Sequence, residues 1–99
     1  MIDHMAVPVA KVHELKILPE FFAAVASGAK TFEVRRDDRG YAVGDTLVLR
    51  EWIEWHWTPY GGYYTGRYVV RRVTYVLRHE DFPEGIAEGF CVLGLGNVP

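Results

Sequence analysis

Lys30, Glu33 and Arg35 fall within six consecutive residues. In an extended chain side chains alternate between faces, so Glu33 and Arg35 share a side and stand roughly 6 to 7 Å apart. An arginine so placed can hold the carboxylate ionised or bind a phosphate beside it. Lys30 is out of phase with Glu33 on a regular strand and joins the pair only from a turn ahead of it. Gly28 permits that turn, because glycine reaches the left-handed conformation that closes a helix. Lys16 is a further candidate, on the assumption that its strand pairs with that of Glu33. If all four converge, Lys16, Lys30 and Arg35 can meet a nucleotide phosphate while Glu33 accepts hydrogen bonds from a base edge or an amide. If chemistry occurs there, Glu33 is the general base and Lys30 stabilises developing negative charge. From the residues alone, the first reading is a structural salt bridge around Glu33.

The elements that must position these groups follow from periodicity. Residues 11–17 alternate, with His13, Leu15 and Ile17 on one side and Glu14 and Lys16 on the other, which predicts a strand. Pro19 suits the first helical position and Glu20 the helix dipole. A short helix follows, with Phe22, Val25 and Ala26 on one face, Ser27 adding polarity at its end and Gly28 closing it. Residues 31–36 form a second strand, Phe32 and Val34 opposing Thr31, Glu33 and Arg35. A Gly44-Asp45 turn leads to a third strand at 46–52, with Leu47, Leu49 and Glu51 on one side. Residues 67–78, rich in Val, Tyr and Thr, make a long fourth strand, with a bulge or a barrel bend expected where Arg71 and Arg72 would face opposite sides. A turn at 82–88 and an apolar strand at 90–95 complete a mostly β, α+β domain. About five strands and one early short helix close most economically as a small, mostly antiparallel barrel.

Composition sets the limits. The 99 residues fit one domain, and 49% hydrophobic with 14% aromatic content excludes a disordered chain. Apolar runs stop at six residues, short of the roughly 20 a membrane-spanning helix needs, so no membrane partner is expected. The first ten residues lack an export pattern, no structure is expected over residues 1–8, and Met5 is an alternative start. One cysteine, Cys91, allows no internal disulfide, and the chain reads as cytoplasmic. A net charge of −2 excludes a globally basic duplex binder. Arg67, Arg71, Arg72 and Arg78 nevertheless form an acid-free stretch ahead of Glu80, Asp81, Glu84 and Glu88. This is either a solvated strand and turn or a local basic face for phosphate.

Trp52, Trp55, Trp57, Tyr60, Tyr63 and Tyr64 crowd one arm whose tip is the Gly61-Gly62 pair. Flat rings there can stack on unpaired bases, but packing or a homodimer through the Trp55 and Trp57 region is the favoured reading. Tyr64 and Arg67 flank the arm's return and are the next candidates for contacting nucleic acid. His4, His13, His56 and His79 show no ligand spacing, so neither a metal nor a cofactor is expected. His13 reads as a strand residue hydrogen-bonded to a neighbour and Cys91 as an inert buried thiol. Gly94-Leu95-Gly96 lacks the context of a nucleotide loop.

The run Gly28-Ala29-Lys30-Thr31-Phe32-Glu33-Val34-Arg35 resembles the Gly-x-Lys-x-x-Glu-x-Arg signature of the ASCH superfamily, with all four fixed positions matched. His13-Glu14-Leu15-Lys16, the Val-Gly-Asp turn and Tyr64-Thr65-Gly66-Arg67 are similar to a short, uncharacterised bacterial and phage subgroup of that superfamily. The resemblance runs over about 11–95, leaving an extension at 1–10 and a tail at 96–99. It implies a PUA-like β-barrel that binds RNA or a modified nucleotide, with Lys16, Lys30, Glu33 and Arg35 facing the ligand. One branch contains acetylcytidine amidohydrolases that use a lysine and a threonine of this motif with a downstream glutamate. Here Glu33 holds the place of the nucleophilic threonine, and Thr31, two residues earlier, is a different geometric position. A hydrolase acting on RNA or a nucleoside amide through Glu33 and Lys30 is the alternative, and a protein-interaction module acting through the aromatic arm is another.

Overall fold

A computed structural model of the chain describes residues 9–99. The expectations for residues 1–8, including the start at Met5 and the role of His4, lie outside the described residues. Five strands and one helix follow in the order β1 (Val12–Ile17), α1 (Pro19–Ala26), β2 (Phe32–Arg36), β3 (Thr46–Glu54), β4 (Gly62–Arg78) and β5 (Phe90–Gly96). A single 3-10 turn at His79–Asp81 leaves β4. The strands form one curled sheet, a half-barrel, in the spatial order β1-β3-β4-β5-β2, with β1 and β3 parallel and every other pair antiparallel. Among the described residues no helix is long and apolar enough to cross a membrane.

The inward-facing residues are those the alternation marks: Leu15 and Ile17 from β1, Leu47 and Leu49 from β3, Val73 from β4, and Cys91 and Leu93 from β5. Helix α1 lies across the open side of the curl and buries Phe22 and Val25, whereas Ala26 stays exposed. Ser27 caps the helix through its backbone N–H to Ala23, and Gly28 turns the chain with φ +87°. The Lys30 N–H then folds back onto the Ala24 carbonyl at 2.9 Å, so the turn is fixed at both ends.

Two expectations about the sheet are corrected. β1 and β2 do not pair: they are the two free edges, because β1 lies parallel to β3 and β2 pairs with β5. The bulge expected at Arg71 and Arg72 is absent there, since both keep regular register with Leu47 and Thr46. Arg71 bonds the Val25 carbonyl at 3.1 Å while Arg72 is exposed on the other side. The irregularities lie elsewhere. Between the Arg50↔Tyr68 and Trp52↔Tyr64 pairs, Thr65-Gly66-Arg67 stands opposite Glu51 alone, with Gly66 at φ +94°. Thr74 is the extra residue against Gly94, where a Cβ would meet its Oγ1 at 2.8 Å.

The arginine-rich stretch is therefore not one basic face. Arg71 is committed to α1 as above. Arg78 pairs with Asp37 and donates to the Tyr41 carbonyl at 2.6 Å, tying the end of β4 to the β2–β3 loop.

Candidate functional site

On β2 the usual pattern is inverted. The polar side chain Glu33 is 4% exposed, while Phe32 and Val34, on the other face, are 44% and 56% exposed. A buried carboxylate is costly unless it is paired and fully hydrogen-bonded. Glu33 is both: the Lys30 ammonium donates to Oε1 and the Arg35 guanidinium to Oε2, with Nε at 2.9 Å. The helix-to-strand turn brings Lys30 into phase, and its ammonium also donates to the Phe32 carbonyl at 2.6 Å. Arg35 reaches further and donates from NH2 to the Lys16 carbonyl at 2.8 Å.

That last bond crosses the seam of the half-barrel. Between β1 and β2 no backbone ladder forms, and side chains span the gap instead: Arg35 takes the Lys16 carbonyl and Arg39 the Glu14 carbonyl at 3.1 Å. Above the Arg35 clasp the seam widens into a cleft of about 440 Å³, lined by Ile17 and Leu18 on one side and Lys30 and residues 32–35 on the other, with Phe21 of α1 over it. Lys30 sits 4.9 Å from the Phe32 ring centroid and 5.7 Å from that of Phe21, which places its charge between two aromatic walls.

The cleft thus combines a buried anion, two cations and apolar flanks, with one surplus positive charge. Among the described residues Arg35 NH1 donates to no protein acceptor, and Lys30 uses two of its three ammonium hydrogens. These donors suit an anionic or carbonyl oxygen entering from solvent. Lys16 lines the rim, but its ammonium lies 3.9 Å from the Trp52 ring centroid, in an adjoining hollow. It contributes its carbonyl to the clasp, not a third charge beside Glu33.

The sequence matches, over residues 12–95, the family described as Domain of unknown function (DUF3850). The chain belongs to this family. It is also 41% identical over 85 residues to a protein of Escherichia phage P2 named "Uncharacterized 12.9 kDa protein in GpA 3'region"; the match covers 86% of this chain and 72% of the phage protein.

The remaining candidates of this DUF3850 domain lie outside the cleft. Tyr64 packs edge-on against Trp52 at 4.9 Å, with the Arg50 guanidinium 3.7 Å from its ring centroid. Arg67 lies 4.7 Å from the Phe22 ring centroid and its Nε is 3.7 Å from Glu51 Oε1. Glu51 is a buried acid that the sequence reading did not single out: it is 6% exposed and accepts the Thr65 hydroxyl at 2.8 Å. Its signal was present, an acid in phase with Leu47 and Leu49 on the buried side of β3.

His13 and Cys91 are buried outside the cleft lining. His13 Nε2 lies 2.8 Å from Asp45 Oδ2, and its ring packs on Tyr41 at 4.7 Å. Burial pushes the Asp45 carboxyl up, but hydrogen bonds from the Lys11 N–H, His13 and the Ala42 N–H outweigh it and leave the group below its ordinary value. Burial pushes the Cys91 thiol up, away from the reactive thiolate, with the Asp37 charge adding to the effect.

Proposed function

We propose that this protein is an ASCH-like domain that binds RNA or a modified nucleotide in the seam cleft, through Lys30, Glu33 and Arg35 with Lys16 at the rim. The observation that carries the reading is a fully paired buried carboxylate, Glu33, at the wall of a cleft whose cations keep donors toward solvent. A buried ion pair is weak evidence for a purely stabilising role, and the position of this one at the wall of an open cleft fits recognition better than scaffolding. The match of Gly28, Lys30, Glu33 and Arg35 to the ASCH signature supports the same ligand class. Phosphate or carbonyl oxygens pair with the free donors of Arg35 and Lys30, and Phe21 and Phe32 offer apolar contact to a base.

Both Glu33 oxygens already accept hydrogen bonds from cations, which favours recognition over proton abstraction. The hydrolase alternative is tested by incubating wild type and Glu33→Gln with RNAs and acylated nucleosides. Turnover that vanishes in the variant would replace the binding reading with a catalytic one. The binding reading is tested by titration with single-stranded RNA, where Arg35→Lys removes the planar fork and weakens the complex about tenfold. Unchanged affinity would reject the cleft.

A further inference from the structure

Beside the seam cleft lies a second hollow of about 290 Å³, and the two share Lys16, Ile17 and Leu18 as a common wall. Its far side is built by the β3–β4 hairpin, from Trp52 and Glu54 to Tyr60 and Gly61. Beyond it the loop forms a layered stack. A Cβ on Gly61 would lie 2.2 Å from Trp55 Cε3, so the glycine backbone is packed on the Trp55 ring. Trp57 lies on Trp55 at 5.1 Å with the planes 11° apart. Trp57 is 68% exposed and Tyr60 93%. Trp57 is therefore a mostly exposed flat ring backed by Trp55, and the cleft at Lys30 and Arg35, the hollow at Lys16 and the loop that carries Trp57 follow one another as a path along the surface.

We propose that this path binds the nucleotides adjacent to the one held in the seam cleft, so that the ligand is a single strand of several nucleotides and Trp57 stacks on one of its bases. The inference rests on the nucleotide reading of the cleft. Three observations support a nucleic-acid strand as the occupant of the arm. The hollow adjoins the cleft, the two sharing Lys16, Ile17 and Leu18; that shared wall carries a cation, Lys16, with Arg50 beside it in register; and residues 55–61 contain aromatic rings but no Leu, Ile, Val or Met. Stacked rings beside cations accept any base through its π-face, whereas a duplex keeps its bases inside. The elements also divide the work: the cleft fixes one nucleotide, and the arm adds affinity without sequence preference.

Calorimetric titration of the full chain with the four nucleoside monophosphates, a randomised single-stranded RNA pentamer and the same pentamer in duplex tests this. The pentamer should bind at least tenfold tighter than the best monophosphate, and the duplex no tighter than the monophosphate. Trp57→Ala should remove most of the pentamer's advantage and Trp57→Phe should restore part of it. Gly61→Ala, which displaces Trp55 from behind the platform, should mimic Trp57→Ala. A pentamer that gains nothing over a bound monophosphate, or keeps its gain in Trp57→Ala, overturns the track while leaving the cleft reading intact. No binding of any probe overturns both. Light scattering that shows a dimer lost in Trp57→Ala would assign the arm to a second copy of the chain and overturn the track as well.

Discussion

Glu33 is a buried charge whose desolvation is offset by two neighbouring cations. With 4% of its surface exposed, it relies on Lys30 and Arg35 for its solvation. Glu33→Gln leaves those two cations facing each other over a neutral amide, and a loss of about 3 kcal/mol is expected. Lys30→Ala leaves the Arg35 pair in place and should cost nearer to about 1 kcal/mol. Urea denaturation of both variants checks the order, and equal losses would mean that Lys30, not Glu33, dominates the pair. Asp45 makes a separate prediction. Its folded-state pKa lies below the ordinary carboxylate value, because three hydrogen bonds outweigh burial. The unfolded chain therefore binds the proton more readily. The stabilisation is complete above about pH 4 and is lost as pH falls through the folded value. Melting curves taken from pH 7 into the acid range should fall at the acid end, and Asp45→Asn should start lower, with its gap to wild type narrowing as pH falls below the ordinary carboxylate range. Parallel curves would place the acid sensitivity elsewhere.

At the scale of elements, the turn between α1 and β2 brings Lys30 into contact with Glu33. Gly28 has φ +87°, and nothing lies within 4 Å of an added Cβ, so Gly28→Ala strains only the backbone. A loss of about 1 to 2 kcal/mol is expected in thermal unfolding. A loss below about 0.3 kcal/mol would show that the turn relaxes freely. This turn was legible in the sequence, as were the existence of all five strands and the phase of the first three, because Gly28 and the two-residue alternation are local signals. Strand order was not. β1 and β2 flank a helix, yet they end up as opposite edges, because β1 pairs with β3 and β2 with β5 through contacts distant in the chain. The bulges were misplaced for a similar reason: consecutive Arg71 and Arg72 suit a regular strand once one of them bonds the Val25 carbonyl on the inside. Of the four candidate cleft residues, Lys30, Glu33 and Arg35 come together, whereas the Lys16 ammonium turns to Trp52. The side of Glu51 was legible from its phase with Leu47 and Leu49, whereas its partners, Thr65 and Arg67, were not, because they lie across a bulge that local alternation does not mark.

For the molecule as a whole, an incomplete barrel explains why the cleft is where it is. A sheet of five strands that curls without closing leaves one seam, and here arginine side chains close part of it and leave the rest open beside Lys30 and Glu33. With a net charge of −2, the protein has no global field to attract a polyanion, so the proposed RNA binding rests, for its electrostatic part, on the few cations at this seam. The most direct measurement is fluorescence anisotropy of a labelled single-stranded RNA, titrated over a range of salt concentrations with wild type, Lys30→Ala and Arg72→Ala. Arg72 is exposed and outside the cleft lining, so its variant changes net charge by the same amount without touching the seam. Lys30→Ala should weaken binding about tenfold and flatten the log–log salt slope by about 0.7, the contribution of one phosphate contact on a single strand. Arg72→Ala should stay within about twofold of wild type. Equal effects in the two variants, or none in Lys30→Ala, would contradict the assignment of the seam cleft as the binding site.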